Sequence, residues 1–193
     1  MKRLFVALKI QPDSVFFESF RELKKALTHE KIKWVEEHQI HITLKFLGET
    51  QEALIPEIIA ALNHRAVQQA PFGFSLHGLG IFGSSYSPRV VWVGIEPFAE
   101  LSQLMRELQK DLAQVGFEAD RQNLVPHLTL GRIKSLNDRM LFHKITERHK
   151  TIASLPLQAL QMILFESLLK REGPEYRIIE SFNFVKNAPG ILL

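Results

Sequence analysis

The most informative absence in this sequence is cysteine, since none occurs among its 193 residues. Disulfides, zinc–thiolate sites and thiol nucleophiles are therefore excluded, and the absence fits a reducing compartment. No apolar run approaches the roughly 18 residues that a membrane-spanning helix needs. The apolar stretch after Lys2 and Arg3 covers only about seven residues and no small-residue cleavage site follows it. We therefore expect a β-strand at this position and a cytoplasmic protein.

Positive and negative charges nearly balance, since the formal net charge is only +3 and the pI is about 9.2. Such a balance permits an anionic substrate, but no Lys/Arg run resembles a nucleic-acid-binding arm. If RNA binds, we expect the contacts to concentrate at one end of it. A chain of this length can bury a sizeable core without disulfide or metal staples. The length of residues 1–193 suits one domain, or two small lobes that share a site.

Hydrophobic periodicity predicts a mixture of helices and strands along the chain. The predicted strands cover residues 3–10, 33–35, 39–47, 74–82, 89–95, 124–133, 157–166 and 176–185. The predicted helices cover residues 14–29, 52–68, 97–115 and 138–149. The elements alternate loosely, with several apparent hairpins. This order favours an α+β fold over a doubly wound parallel sheet.

One short pattern occurs twice. The sequence HITL at residues 41–44 is echoed by HLTL at residues 127–130. Side chains alternate across a strand, so each histidine shares a face with its threonine while the two apolar residues face a core. One such strand means little, but two copies in similar settings indicate duplicated lobes that face each other across a groove.

The repeated face has the chemistry that phosphodiester hydrolysis needs. Two opposed imidazoles can divide the acid and base roles near neutral pH, because free histidine has a pKa of about 6.5. Each assisted proton transfer is worth roughly 10²–10⁴ in rate, and two threonine hydroxyls can donate to phosphate oxygens. The bland alternative is a pair of hydrogen-bonded structural histidines. Zinc is a weaker alternative, because no third ligand lies at suitable spacing.

The sequences HITLKFLG (41–48) and PHLTLGR (126–132) resemble the two signature strands of the two-histidine phosphoesterase superfamily. The closer similarity is to its RNA 2',3'-cyclic phosphodiesterases, historically called 2'-5' RNA ligases or LigT-like proteins. Four further segments follow in the order of that family, and the resemblance covers nearly the whole chain: RLFVAL (3–8), LHGLGIF (76–82), RVVWVGI (89–95) and LFES (164–167).

The resemblance implies a bilobal fold in which two pseudo-symmetric α/β lobes with antiparallel sheets surround a central cleft. It implies an enzyme that needs no metal and no cofactor and that acts on RNA ends or nucleotides bearing a 2',3'-cyclic phosphate. His41 would protonate the leaving 3'-oxygen and His127 would activate water, which leaves a 2'-phosphate. Thr43, Thr129 and Arg132 would hold the phosphate.

The resemblance also implies that Phe46 stacks on a base. Strict alternation opposes this role and that of Arg132, because both side chains would then point away from the histidines. We expect a bulge or turn at Gly131 to redirect Arg132, and Phe46 would be released if its strand ends before Gly48. The alternatives are core packing for Phe46 and a surface ion pair for Arg132.

Other aromatic and histidine residues receive structural interpretations. We expect Trp34 and Trp92 to be core residues and His77 to be a hydrogen-bonded core histidine. Two alternative functions remain open, namely 2'-5' ligation at the same site and a catalytically silent RNA-end-binding module. No membrane association or protein partner is expected.

Overall fold

The computed structural model describes residues 1–119, 125–170 and 173–185, in which nine strands and four helices are found. The strands are β1 (Lys2–Lys9), β2 (Lys31–Trp34), β3 (His41–Thr50), β4 (Phe72–Gly83), β5 (Pro88–Glu96), β6 (His127–Ser135), β7 (Leu157–Ala159), β8 (Gln161–Leu169) and β9 (Pro174–Asn183). The helices are α1 (Ser14–Ala26), α2 (Ile55–Gln68), α3 (Ala99–Gln114) and α4 (Arg139–Arg148).

The strands form two antiparallel sheets. The four-stranded sheet has the order β3-β1-β8-β9, and the five-stranded sheet has the order β2-β6-β5-β4-β7. A main hydrophobic core contains buried residues of both sheets and all four helices. The predicted α+β class with antiparallel sheets is therefore confirmed.

The helices α1 and α4 begin at the capping residues that the sequence indicated. The side chain of Asp13 accepts a hydrogen bond from the backbone N–H of Phe16, and Asp138 does the same for Leu141. Each bond satisfies one of the backbone donors that a helix N-terminus leaves free. Pro56 lies in the first turn of α2, where proline costs no helical hydrogen bond.

Each sheet is covered by helices on its core side. The helices α2 and α3 pack on each other, α2 contacts β8 and β9, and α3 contacts β3. The helix α1 meets the five-stranded sheet through Phe20 and Trp34, whose rings are 5.8 Å apart, and it also contacts α4. None of the helices in the described part of the chain is both long and apolar enough to cross a membrane.

Two strand predictions are wrong in an informative way. The segment predicted as one strand over 157–166 is two strands, because β7 pairs with β4 and β8 pairs with β1 of the other sheet. The chain changes sheets at the exposed Leu160. Gly48 does not end β3, which continues to Thr50 with Gly48 at a φ of 72°. The strand predicted from residue 124 begins at His127, and residue 124 lies outside the described residues.

The β8–β9 hairpin reaches from the four-stranded sheet to the other sheet. The side-chain amide of Gln39, just before β3, donates to the backbone carbonyl of Pro174 over 3.2 Å. A β-carbon added to Gly173 would lie 3.1 Å from Nζ of Lys33 in β2, so Gly173 lies directly beside that lysine. The start of β9 therefore contacts both the segment before β3 and strand β2 of the other sheet.

Candidate active site

The two motif histidines occupy equivalent places in the two sheets. His41 is the first residue of β3 and His127 is the first residue of β6, and these two strands contact each other between the sheets. Nδ1 of His41 is 2.7 Å from the carbonyl oxygen of Gln39, and Nδ1 of His127 is 2.8 Å from that of Val125. A carbonyl oxygen only accepts, so both Nδ1 atoms carry a proton and both Nε2 atoms are left for chemistry.

Matching bulges interrupt the alternation of the two motif strands. In β3, Leu44 is skipped in the pairing with β1, and Leu44 and Lys45 are both buried. In β6, Leu130 is skipped in the pairing with β5, and Leu130 and Gly131 are both buried. An extra residue shifts the phase of the side chains that follow it. Residues beyond each bulge therefore return to the face that carries the histidine.

The bulges explain where Phe46 and Arg132 lie. Phe46 is 59% exposed, and its ring centroid is 6.0 Å from that of Phe5, which is 5.1 Å from the His41 ring. Phe46 is therefore on the histidine face without the strand ending that we expected, and core packing is wrong for this residue. Arg132 is exposed and forms no ion pair with any described residue. Its placement follows from the bulge at Leu130 and Gly131.

The two threonines lie on the same faces as the histidines. Thr43 pairs with Ala7, which belongs to a small apolar cluster on the histidine face of the four-stranded sheet. Thr129 pairs with Trp92. Both threonines are half-buried, so their hydroxyls can reach a phosphate bound between the two strands.

Electrostatics link Arg132 to both histidines. Burial lowers the pKa of His41 below the ordinary histidine value of 6.5, the hydrogen bond to Gln39 opposes this, and the positive charge of Arg132 lowers it further. Burial and Arg132 also lower the pKa of His127, against the opposing hydrogen bond to Val125. Without a neighbouring anion, both imidazoles are therefore mainly neutral at pH 7. A bound phosphate anion would favour the return of one proton.

Aromatic side chains that the sequence analysis did not single out surround His41. The rings of Phe5 and Tyr176 each lie 5.1 Å from the imidazole, and Tyr176 meets it nearly perpendicularly, at 84°. Burial raises the pKa of Tyr176, while the charges of Arg132 and Arg3 lower it. Tyr176 is in β9 of the same four-stranded sheet and packs on its histidine face, against Phe5 and Phe165. A pocket beside His41 is lined partly by this tyrosine.

A second aromatic group surrounds His127. The ring of Phe82 lies 4.8 Å from the imidazole at 88°, and Phe82 stacks on Trp92 at 4.8 Å and 23°. The expectation that Trp92 is a core residue is therefore wrong, because its half-buried indole lies on the histidine face beside Thr129. Gly80 allows this placement, since a β-carbon there would overlap the Trp92 ring.

The remaining sequence expectations are resolved as follows. Trp34 does pack against the core. His77 is not a core histidine, because its side chain is 55% exposed and lies 3.8 Å from the carboxylate of Glu96. Within residues 1–119, 125–170 and 173–185, no cluster of three or more His, Asp or Glu side chains is arranged to hold a metal ion. Metal independence stays a prediction.

Comparisons with known proteins agree with this architecture. A family model of the 2'-5' RNA ligase superfamily matches residues 12–167. An RNA 2',3'-cyclic phosphodiesterase of Aquifex aeolicus is 34% identical over 152 residues, which cover 78% of this chain and 80% of the relative. One of Methanocaldococcus jannaschii is 31% identical over 180 residues, covering 93% and 99%.

Solved structures extend the likeness to nearly the full chain. The crystal structure of the Thermus thermophilus protein TT0787 matches with a TM-score of 0.78 and 27% identity, covering 96% of this chain and 100% of the other. The fold is also that of Escherichia coli LigT complexed with 3'-AMP, with a TM-score of 0.76, 22% identity, and coverage of 96% and 99%. The chain therefore belongs to the 2'-5' RNA ligase superfamily, the two-histidine phosphoesterases.

Proposed function

We propose that this protein is a hydrolase that opens 2',3'-cyclic phosphates on RNA ends and leaves 2'-phosphomonoesters, with His41 and His127 as a metal-independent acid–base pair. The observation that carries the proposal is the matched pair of Nδ1 hydrogen bonds, which leaves two Nε2 atoms on duplicated strands. Relatives named RNA 2',3'-cyclic phosphodiesterases support the reaction class. We also propose that the two sheets act as one bilobal domain, since they share a core.

The proposed step is a displacement at phosphorus. Nε2 of His127 accepts a proton from water while the water oxygen forms a bond to phosphorus. The bond between phosphorus and the 3'-oxygen breaks, and Nε2–H of His41 gives its proton to that oxygen. The two histidines then exchange one proton with solvent to restore the starting state. A nucleophile and a leaving group on opposite sides of phosphorus match two bases on opposed strands.

The unequal surroundings of the histidines support this division of roles. The leaving 3'-oxygen stays with the nucleoside, so the general acid belongs on the side of the site that holds the nucleobase. Phe46, the exposed ring on the histidine face of the four-stranded sheet, shares β3 with His41. The nucleobase would stack on Phe46, which would place the ribose oxygens beside His41. His127 would then be the histidine that activates the water.

Three side chains would stabilise the phosphate. The hydroxyls of Thr43 and Thr129 can donate to the non-bridging oxygens from either side, and the Arg132 guanidinium can donate to the charge that develops there. Donors arranged before the reaction are worth most where charge grows in the transition state. Arg132 is suited to this task because no described carboxylate neutralises it.

The test is hydrolysis of an RNA that ends in a 2',3'-cyclic phosphate, in the presence of EDTA, with the product monoester identified by phosphorus NMR. His41→Ala and His127→Ala are each expected to lower kcat at least about 100-fold, the lower bound for a lost acid or base. His64→Ala is the matched control, because His64 is exposed on α2 and its side chain bonds to Gln68 of the same helix and to no other described residue. Near-normal turnover by either motif variant, or a 3'-phosphate product, contradicts the mechanism.

The two alternative functions that the sequence left open share this site. A 5'-hydroxyl in place of water would form a 2'-5' bond by the same displacement, with the 3'-oxygen as leaving group, but water at high concentration favours hydrolysis. A silent binding module would show affinity for the cyclic end without turnover, and the same assay distinguishes it. A cytoplasmic location stays a prediction from the sequence.

A further inference from the structure

Three lysines extend from Arg132 along the face of the five-stranded sheet that carries His127. Lys33 of β2 pairs directly with Arg132 of β6. Lys31 lies two residues from Lys33 on β2 and shares its face. Lys31 pairs with Ser135, so Lys134 is the skipped residue of a third bulge. The skipped residue and the next one share a face in the bulges at Leu44 and Leu130, and Lys134 and Ser135, both exposed, do so here on the side of Lys31. All three are exposed. We call Lys31, Lys33 and Lys134 the lysine strip.

The opposite face of these strands packs on the core, and this determines which way the lysine side chains point. Ile32 and Trp34 pack against the core, and Ile133, which pairs with Ile32, does so as well. A β-carbon on Gly131 would touch Ile32 and Trp34, so Gly131 also faces inward. Lys33, which lies between Ile32 and Trp34, therefore points away from the core, on the side of the groove, and the rest of the strip shares its face.

The charges of the strip are not neutralised by the protein. No member forms an ion pair with a residue in the described ranges, whereas Arg21 and Arg65 elsewhere are paired bidentately with Glu37 and Asp111. Glu30, just before β2, instead accepts from the backbone N–H groups of Asn137 and Asp138. Like charges held together without counterions favour a polyanionic partner.

From this arrangement we infer that the lysine strip binds the backbone phosphates of the RNA immediately upstream of the cyclic end, so that the preferred substrate is an oligonucleotide of at least two or three residues. The inference rests on the proposed function, because Arg132 would hold the reacting phosphate at the inner end of the strip. The next phosphate of an RNA is one sugar away from the terminal one. The strip begins at Lys33, the direct pairing partner of Arg132, and Lys33 lies beside Gly173, just before β9.

The size of the strip limits its reach. Residues two apart on one strand face are about 7 Å apart, and neighbouring strands are about 5 Å apart. Three lysines in this area can meet about two phosphates, so the gain from added nucleotides should end after the second or third. Long duplex or backbone tracking is not expected, in agreement with the small net charge of +3.

The experiment compares KM for 2',3'-cyclic-phosphate substrates of one, two, three, five and twenty nucleotides at about 50 and about 200 mM salt. At low salt, KM should fall roughly tenfold from one to three nucleotides and then level off. Each phosphate contact on a single strand contributes a slope of about −0.7 in log affinity against log salt. Two contacts therefore predict that, from about 50 to about 200 mM salt, the KM of the trinucleotide rises about sevenfold more than the KM of the mononucleotide. The lysine-strip variant Lys31→Gln/Lys33→Gln/Lys134→Gln should lose both effects.

A matched variant controls for total charge. Lys25→Gln/Arg139→Gln/Lys144→Gln removes the same three charges from α1 and α4, where these side chains are exposed. It should keep the length and salt dependence of the wild type. An equal loss in this control, or an unchanged trinucleotide advantage in the lysine-strip variant, overturns the inference. A KM that keeps falling up to twenty nucleotides overturns the limited reach.

A binding measurement separates this inference from the proposed function. Anisotropy of 5'-labelled oligonucleotides that carry a terminal 2'-phosphate needs no turnover. If the wild type hydrolyses no cyclic end, the proposed function fails, but a length-dependent affinity that the lysine-strip variant loses still supports the strip. If hydrolysis occurs and affinity is the same for one and three nucleotides, the strip fails alone.

Discussion

Truncating Phe46 to alanine is expected to weaken substrate binding while leaving the fold intact. More than half of this side chain is exposed, at 59%, and its inner side is backed by Phe5 at 6.0 Å. Stacking of a base on an aromatic side chain is worth about 1–3 kcal/mol. Because only the exposed part of the ring can be covered, we expect about 1–2 kcal/mol here. At about 1.4 kcal/mol per factor of ten, KM should rise by about 5–30-fold.

The assay measures KM for the cyclic mononucleotides of all four bases, together with urea unfolding of the same variant. All four values should rise by similar factors, since every base offers a stacking face. The substitution should lower the free energy of unfolding by clearly less than the roughly 3–5 kcal/mol lost in a buried Phe→Ala change. Phe98→Ala is the control, because Phe98 is also 59% exposed and precedes α3 away from both histidines. An unchanged KM, or an equal rise in the Phe98 variant, refutes stacking on Phe46.

Three further predictions concern the charge and packing around the histidines. Because the pKa values of His41 and His127 are lowered, the free enzyme loses the protonated acid as pH rises through values below 6.5, so kcat/KM should peak on the acidic side of 6.5. The optimum of kcat should lie at higher pH, because the bound phosphate anion restores the proton. The pH profiles of both constants check this, and a peak of kcat/KM above about pH 8 contradicts it. Arg132→Gln removes a positive charge that acts on both imidazoles, so both histidine pKa values should rise in NMR titrations while KM increases; unmoved titrations would mean that Arg132 lies elsewhere in solution. Gly80→Ala forces a methyl group into the Trp92 ring and should cost about 1–3 kcal/mol of unfolding free energy and lower kcat; a variant with wild-type unfolding and kcat would show that this contact is dispensable.

Local signals predicted much of the fold, because they depend on neighbours in sequence. The Asp13 and Asp138 caps, and the alternating strands, follow from hydrogen bonds and patterns within a few residues. The break of the predicted strand at Leu160 could not be predicted in this way, because its two halves differ only in the strands they pair with, β4 and β1. Both halves are apolar, and apolarity alone does not say which sheet covers a strand.

The candidate site divides in the same way. The histidines and threonines could be selected from the repeated motif, since their spacing alone puts them on one face. Tyr176 could not, because it reaches His41 only through the fold of the β8–β9 hairpin. Trp92 was predicted to be a core residue because it lies in an apolar strand segment, and its neighbours Val91 and Val93 are indeed fully buried. Its own orientation follows from the pairing with Thr129 and from the space that Gly80 leaves.

The duplicated bulge gives the site both its symmetry and its direction. Equivalent bulges at Leu44 and Leu130 bring the residue five positions after each histidine onto the reactive face. In one strand that residue is the ring of Phe46, and in the other it is the cation Arg132. Two equivalent histidines alone would let a cyclic phosphate bind in either orientation. In the proposed mechanism, a ring on one side and a cation on the other would favour one orientation, with the nucleobase over β3 and the phosphates toward β6. This orientation would make His41 the general acid and His127 the general base.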